Sequence, residues 1–181
     1  MRLFVAIDFP DSVKDQLDTL QTHIPTARWV KRHQMHLTLF FLGETDRLQD
    51  IKDALASVTA APFELTLASV GRFPKRQKQP PRVLWVGIDA DPALGQLHKK
   101  ITQVLAEIGF EPEDRLFNPH ITLARLKTRE PLPEVDTFLN AHDVFRVPSI
   151  PITEFTLFSS MLSSQGAHYE REAVFALKTA L

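Results

Sequence analysis

Two short stretches of this chain repeat the same chemistry: His36-Leu37-Thr38-Leu39 and His120-Ile121-Thr122-Leu123. On a β-strand, residues two apart point to one side, so each stretch presents an imidazole and a hydroxyl together, backed by apolar residues on the other side. Brought face to face, the two copies place two imidazoles and two hydroxyls on one groove. Such a set suits in-line displacement at phosphorus, where attacking and leaving oxygens lie on opposite sides of the reacting atom. One imidazole removes a proton and the other supplies one. An unperturbed imidazole titrates near pH 6.5, so both protonation states are accessible at neutral pH, each contributing roughly 10²–10⁴-fold. Thr38 and Thr122 can donate to the non-bridging oxygens. This chemistry needs no metal and no cofactor, and the residues alone do not fix which imidazole is the acid.

The elements that hold these residues read out in order. Leu3 to Asp8 is a buried strand, and a helix carrying Val13, Leu17, Leu20 and Ile24 follows Pro10 and closes at Pro25. The first motif opens a strand over 36–43, ended by Gly43, and a helix over 47–60 and a strand over 63–70 complete the half. The second half repeats the order: Leu84-Trp85-Val86-Gly87-Ile88-Asp89 echoes Leu3-Phe4-Val5-Ala6-Ile7-Asp8. A helix with Leu94, Leu97, Ile101, Leu105 and Ile108 stops at Gly109 and leads through a loop to the second motif. A helix over about 134–141 and strands near 145–147, 152–158 and 169–177 finish the copy. Two copies are too few for a solenoid. The expectation is one α+β domain over 1–181, bilobal, made of two pseudo-twofold-related halves at about 1–80 and 81–181. Each half is expected to have a mainly antiparallel sheet with helices outside, and the active site lies in the central groove.

Composition narrows the setting. With 44% hydrophobic residues, 24% charged and 13 Phe among 181 residues, the chain can bury a core. It has no cysteine, which excludes disulfides, thiolate metal sites and a cysteine nucleophile and favours a cytoplasmic setting. Five apolar residues before Asp8 are too few for a signal-peptide core, and no later run suits a membrane span. A formal net charge of −1 gives no global basic field, so polyanion binding must be local. The stretch from Arg72 to Arg82, with five cations and no anion, reads either as a solvated connection or as a strand-gripping loop.

Other residues fit less cleanly. Arg125 lies five after His120, on the opposite face of a regular strand, so a phosphate role requires a bend. Regular alternation puts Phe40, not Phe41, on the histidine face. His33, His36 and His120 could form a metal triad, but no carboxylate accompanies either motif at ligand spacing, so no metal site is assigned. His23, His98, His142 and His168 read as surface or satisfied polar residues, and Phe4 and Trp85 as core.

The doubled motif, with Arg2-Leu3-Phe4-Val5-Ala6-Ile7-Asp8, Pro80 to Gly87, Asn118-Pro119 and Glu154-Phe155-Thr156-Leu157-Phe158, resembles the 2H phosphoesterase superfamily. The likeness is greatest to its bacterial RNA 2′,3′-cyclic phosphodiesterases, also called 2′-5′ RNA ligases, and covers nearly the whole chain. It implies a bilobal α+β fold and opening of 2′,3′-cyclic phosphate RNA ends or nucleotides to 2′-phosphomonoesters. It implies that His36 protonates the departing 3′ oxygen, that His120 activates water, and that Thr38 and Thr122 hold the phosphate. It also suggests Phe41 as a base platform and ATP-independent 2′-5′ ligation as a side activity; Arg125 at the phosphate, given the bend, and a monomer are further expectations. Two other readings stay open: a metal-dependent phosphoesterase and a non-catalytic RNA-end-binding module.

Overall fold

The computed structural model describes residues 1–180. In chain order the elements are β1 (Arg2–Asp8), α1 (Asp11–Asp18), β2 (Ala27–Trp29), a 3₁₀ turn (Arg32–Gln34), β3 (His36–Glu44), α2 (Leu48–Ala56) and β4 (Phe63–Phe73). They continue with β5 (Val83–Ile88), α3 (Pro92–Glu107), β6 (His120–Leu126), α4 (Pro133–Ala141), β7 (Arg146–Ile152), β8 (Glu154–Ser163) and β9 (Gly166–Ala176). The fold is α+β, and its strands pair antiparallel. Among the described residues no helix is long and apolar enough to cross a membrane.

One sheet replaces the expected sheet per half. Its order is β7-β4-β5-β6-β3-β1-β8-β9, with β2 added beside β6. The physical reason is that β4 finds its partners in β5 and β7, while β8 and β9 return to pair beside β1. Strands from each sequence half thus complete the other half's side of the sheet.

All four helices contribute to one apolar layer. Alternation in β1 sends Leu3, Val5 and Ile7 into it, where they meet Val13 and Leu17 of α1, Ile51 and Leu55 of α2, Leu97 and Ile101 of α3 and Phe138 of α4. Helix α3 shows how sequence sets these elements. Asp91 caps it by accepting from the N–H groups of Ala93 at 2.7 Å and Leu94 at 3.2 Å, Pro92 occupies its first turn, and Gly109 leaves it at φ +93°. With one sheet face covered, the other is left for chemistry.

Several boundaries differ from expectation: β7 (Arg146–Ile152), β8 (Glu154–Ser163) and β9 (Gly166–Ala176) are all longer than the strands expected near 145–147, 152–158 and 169–177. Helix α1 stops at Asp18 although Leu20 and Ile24 remain buried, because the chain tightens into i→i−3 bonds from Leu20 and Gln21 and then turns to lay β2 against β6. Helix α2 ends at Ala56, and β4 continues to Phe73. Arg72 therefore lies in a strand. It is 5% exposed and donates to the carbonyls of Pro74 and Gln79, which ties down the start of the cationic stretch.

Candidate active site

The two motifs meet at the centre of the sheet. β3 and β6 pair antiparallel through Leu37 opposite Ile121, both fully buried. In that register His36 lies across from Thr122, and Thr38 across from His120. The two histidines are therefore diagonal neighbours on the uncovered face, a relation that separates residues by about 7–8 Å, and their Cβ atoms by somewhat less, in a regular ladder. That spacing suits one phosphate between two rings.

Each imidazole is aimed by the same local device. His36 Nδ1 lies 2.6 Å from the Gln34 carbonyl oxygen, and His120 Nδ1 lies 2.8 Å from that of Asn118. A carbonyl only accepts, so Nδ1 carries the proton in both rings and Nε2 is left with its lone pair. His36 Nε2 is 2.9 Å from the Thr38 hydroxyl, which then donates to it.

The surroundings of the two rings differ. His36 packs against Phe4 (centroids 4.9 Å apart), Phe158 (6.4 Å) and the edge of Tyr169 (5.5 Å, planes at 81°). Burial lowers its pKa to about 4; the Gln34 carbonyl and the Asp8 carboxylate act in the other direction, while Lys14 and Arg125 add to the lowering. His120 has Phe73 at 5.1 Å and Trp85 at 6.4 Å. Its pKa is also lowered, first by burial and then by Arg125 and Arg115, against the Asn118 carbonyl. Both imidazoles are neutral at neutral pH.

Two β-bulges settle the odd residues. Opposite β1, Val5 pairs with Phe40 but Ala6 with Thr38, so β3 carries one extra residue there. Leu39 and Phe40 both turn to the core, and Phe41 swings to the histidine face, 55% exposed with its ring 6.4 Å from Phe4. Phe40, which regular alternation puts on the histidine face, instead lies in the core. In β6 the same shift falls opposite Leu84 and Trp85: Leu123 and Ala124 are both buried, and Arg125 emerges on the groove face. Its charge is felt by both His36 and His120.

Several residues at the site escaped the sequence. Phe4 is buried, but in a second cluster with Ala6, Phe158 and Tyr169 that backs His36, and Trp85 flanks His120; neither belongs to the main core expected for it. Behind His36, Asp8 pairs with Lys14 Nζ at 2.8 Å and Arg171 Nη2 at 2.5 Å. Burial raises the Asp8 pKa, yet Lys14, Arg171 and the Phe9 N–H outweigh it, and the net shift is downward. Strand β9 forms one wall: the Ala167 carbonyl accepts from the Gln34 amide, Tyr169 meets Phe4 and His36, and Arg171 meets Asp8. Regular alternation would have put Phe4 and Asp8 on one face of β1, but nothing local joins residues 167–171 to residue 36. Among the described residues no three His, Asp or Glu side chains come together as a metal cluster, so His33 does not join the two motif histidines.

Comparison with known proteins identifies the family and the fold. The family model of the 2′-5′ RNA ligase superfamily matches residues 9–160. An RNA 2′,3′-cyclic phosphodiesterase of Archaeoglobus fulgidus is 31% identical over 97% of this chain and 99% of its own, and one of Escherichia coli is 31% identical over 93% and 92%. Among solved structures, TT0787 of Thermus thermophilus superposes with a TM-score of 0.81 at 30% identity, covering 99% of both chains. E. coli LigT complexed with 3′-AMP gives 0.77 at 29%, covering 98% of both. The chain belongs to the 2′-5′ RNA ligase superfamily, in its RNA 2′,3′-cyclic phosphodiesterase family.

Proposed function

We propose that the protein opens 2′,3′-cyclic phosphates at RNA ends to 2′-phosphomonoesters, without a metal or cofactor, acting as a cytoplasmic monomer. The observation that carries this is the matched pair of neutral imidazoles on adjacent strands, each with Nδ1 bound to a carbonyl two residues back and the lone pair on Nε2, which in His36 faces the Thr38 hydroxyl. His120 Nε2 accepts a proton from water as its oxygen attacks phosphorus. The bond from phosphorus to O3′ breaks, and His36 Nε2, which takes a proton from solvent once the anionic substrate is bound, supplies the proton that O3′ takes. Protonation of His36 Nε2 frees the Thr38 hydroxyl, which with that of Thr122 donates to the non-bridging oxygens; Arg125 balances the charge gathering there, and Phe41 offers a face for the terminal base.

A cyclic phosphate of this kind forms only where a 2′-hydroxyl exists, which makes RNA the substrate class. The lowered pKa of His36 asks the substrate to help, since an anionic phosphate beside the ring favours the protonated form that the acid role requires. With a 5′-hydroxyl in place of water, the same acid and base would form a 2′-5′ linkage.

His36→Ala and His120→Ala should each lower hydrolysis of an oligoribonucleotide ending in a cyclic phosphate by at least about 10²-fold while the protein stays folded. Assays with chelator and without ATP, with the product isomer identified, test the whole scheme. Turnover near the parent's in either variant removes the two-histidine mechanism. Loss of turnover on chelation favours a metal-dependent phosphoesterase, and tight binding without product favours an RNA-end-binding module.

A further inference from the structure

Strand β2 is three residues long, and its register sets Arg28 directly across from Arg125 of β6. Direct partners in an antiparallel pair share a face, with Cβ atoms about 4.5–5.5 Å apart, and two like charges in that relation repel. The neighbouring pairs fix the face: Trp29 opposite Ala124 and Ala27 opposite Leu126 turn toward the core, so Arg28 and Arg125 both look into the groove. Both are exposed, and among the described residues neither takes part in an ion pair or a side-chain hydrogen bond.

The chain also anchors β2 firmly. Trp29 donates from Nε1 to the Thr22 carbonyl at 3.0 Å and packs edge-on against Phe138 of α4, and the Ala27 N–H reaches the Ile24 carbonyl at 3.1 Å. Two unneutralised arginines held side by side, in a protein of net charge −1, call for a polyanion. Arg125 is the member whose charge reaches both imidazoles, and Arg28 lies one strand beyond it.

We infer that Arg28 binds a second phosphate, the internucleotide phosphodiester next to the terminal cyclic phosphate, so that the site selects an RNA chain over a lone cyclic nucleotide. This rests on the phosphodiesterase reading above. Arg125 serves the reacting phosphate and Arg28 the next one along the strand, each with a planar fork of donors suited to phosphate oxygens.

The test compares a nucleoside 2′,3′-cyclic monophosphate with a trinucleotide ending in the same cyclic phosphate. Arg28→Ala should lower kcat/KM on the trinucleotide about tenfold, with the loss confined to that substrate, and should make the slope of log(kcat/KM) against log[salt] shallower by about 0.7. Arg28→Lys should keep the salt slope. Anisotropy with a labelled trinucleotide bearing a 2′-phosphate should show the same loss of affinity independently of turnover. The thermal midpoint of Arg28→Ala should hold or rise, because a repulsion has gone; a fall would mark a structural role and overturn the inference. Equal loss on both substrates, or loss on neither, also overturns it. A parent protein that processes neither substrate takes down the phosphodiesterase reading itself, and the subsite with it.

Discussion

At His36 one environment serves two ends. The rings of Phe4, Phe158 and Tyr169 keep water from the imidazole, which strengthens its hydrogen bonds to Gln34 and Thr38 and also makes its charged form unfavourable. With a folded pKa near 4 and an unfolded one near 6.5, the unfolded chain binds a proton that the native protein refuses between those values. Stability contributed by this group is thus present above pH 6.5 and is lost as pH falls toward 4, by at most about 1.4 kcal/mol per pH unit. Urea midpoints measured from pH 7.5 to 4.5 should fall on the acid side, and His36→Gln should flatten that fall; an unchanged slope in the variant would show that other groups set it. Activity carries the opposite demand, since the acid role needs the proton. The pKa governing kcat, which reports the loaded site, should therefore lie above the one governing kcat/KM on the same limb, with both values belonging to the coupled pair of histidines. Coinciding values would mean that the bound phosphate does not act on His36.

Elements decide which side chains reach that environment, and here a single glycine gives leverage. Gly71 of β4 pairs with Trp85 of β5, and a Cβ placed on it would sit 2.2 Å from two indole carbons. Gly71→Ala must therefore push Trp85, which flanks His120, into the groove or strain β4. The expected result is a loss of about 1–3 kcal/mol in urea unfolding together with lower kcat/KM. Gly95→Ala, in open space on α3, should stabilise by up to about 1 kcal/mol and leave activity alone. A Gly71→Ala protein as active and stable as its parent would show that Trp85 has free room. Sequence legibility also divides at this scale. His36, Thr38, His120 and Thr122 were readable because period-two alternation is local, and α3 because its cap, stripe and stop lie within it. The bulges at Leu39-Phe40 and Leu123-Ala124 leave no mark in the letters, so Phe41 needed the resemblance and Arg125 needed an assumed bend. The echo between residues 3–8 and 84–89 was real in order but not in register: Trp85 lies opposite Thr122, where Ala6, not Phe4, lies opposite Thr38. Strand β2 is too short to show a period, and Tyr169 and Arg171 reach His36 and Asp8 only through long-range pairing.

Over the whole molecule, the position of the two catalytic strands explains why the chain crosses over. From the central β6–β3 contact the order runs outward through β5, β4 and β7 on one side and through β1, β8 and β9 on the other. Neither motif lies on an edge, so each histidine is held by ladders that a free edge strand lacks. The crossing has a mechanical consequence as well. Cut near residue 80, the first piece would keep the β1–β3 pair but would separate β2 from β6, and β4 from both β5 and β7. The second piece would separate β8 from β1. Neither piece can cover its apolar face against its own strands, so neither should fold alone, and the intact chain should unfold in one step. Far-ultraviolet and near-ultraviolet circular dichroism should give a single urea midpoint, with Trp29 beside α4 and Trp85 beside His120 reporting from different parts of the sheet. Fragments 1–80 and 81–181 should each lack a cooperative transition, and hydrolysis of the cyclic phosphate should return only when they are refolded together. Two resolved transitions, or a folded fragment on its own, would mean that each sequence half closes a core by itself and that the crossed strands are not what holds His36 and His120 together.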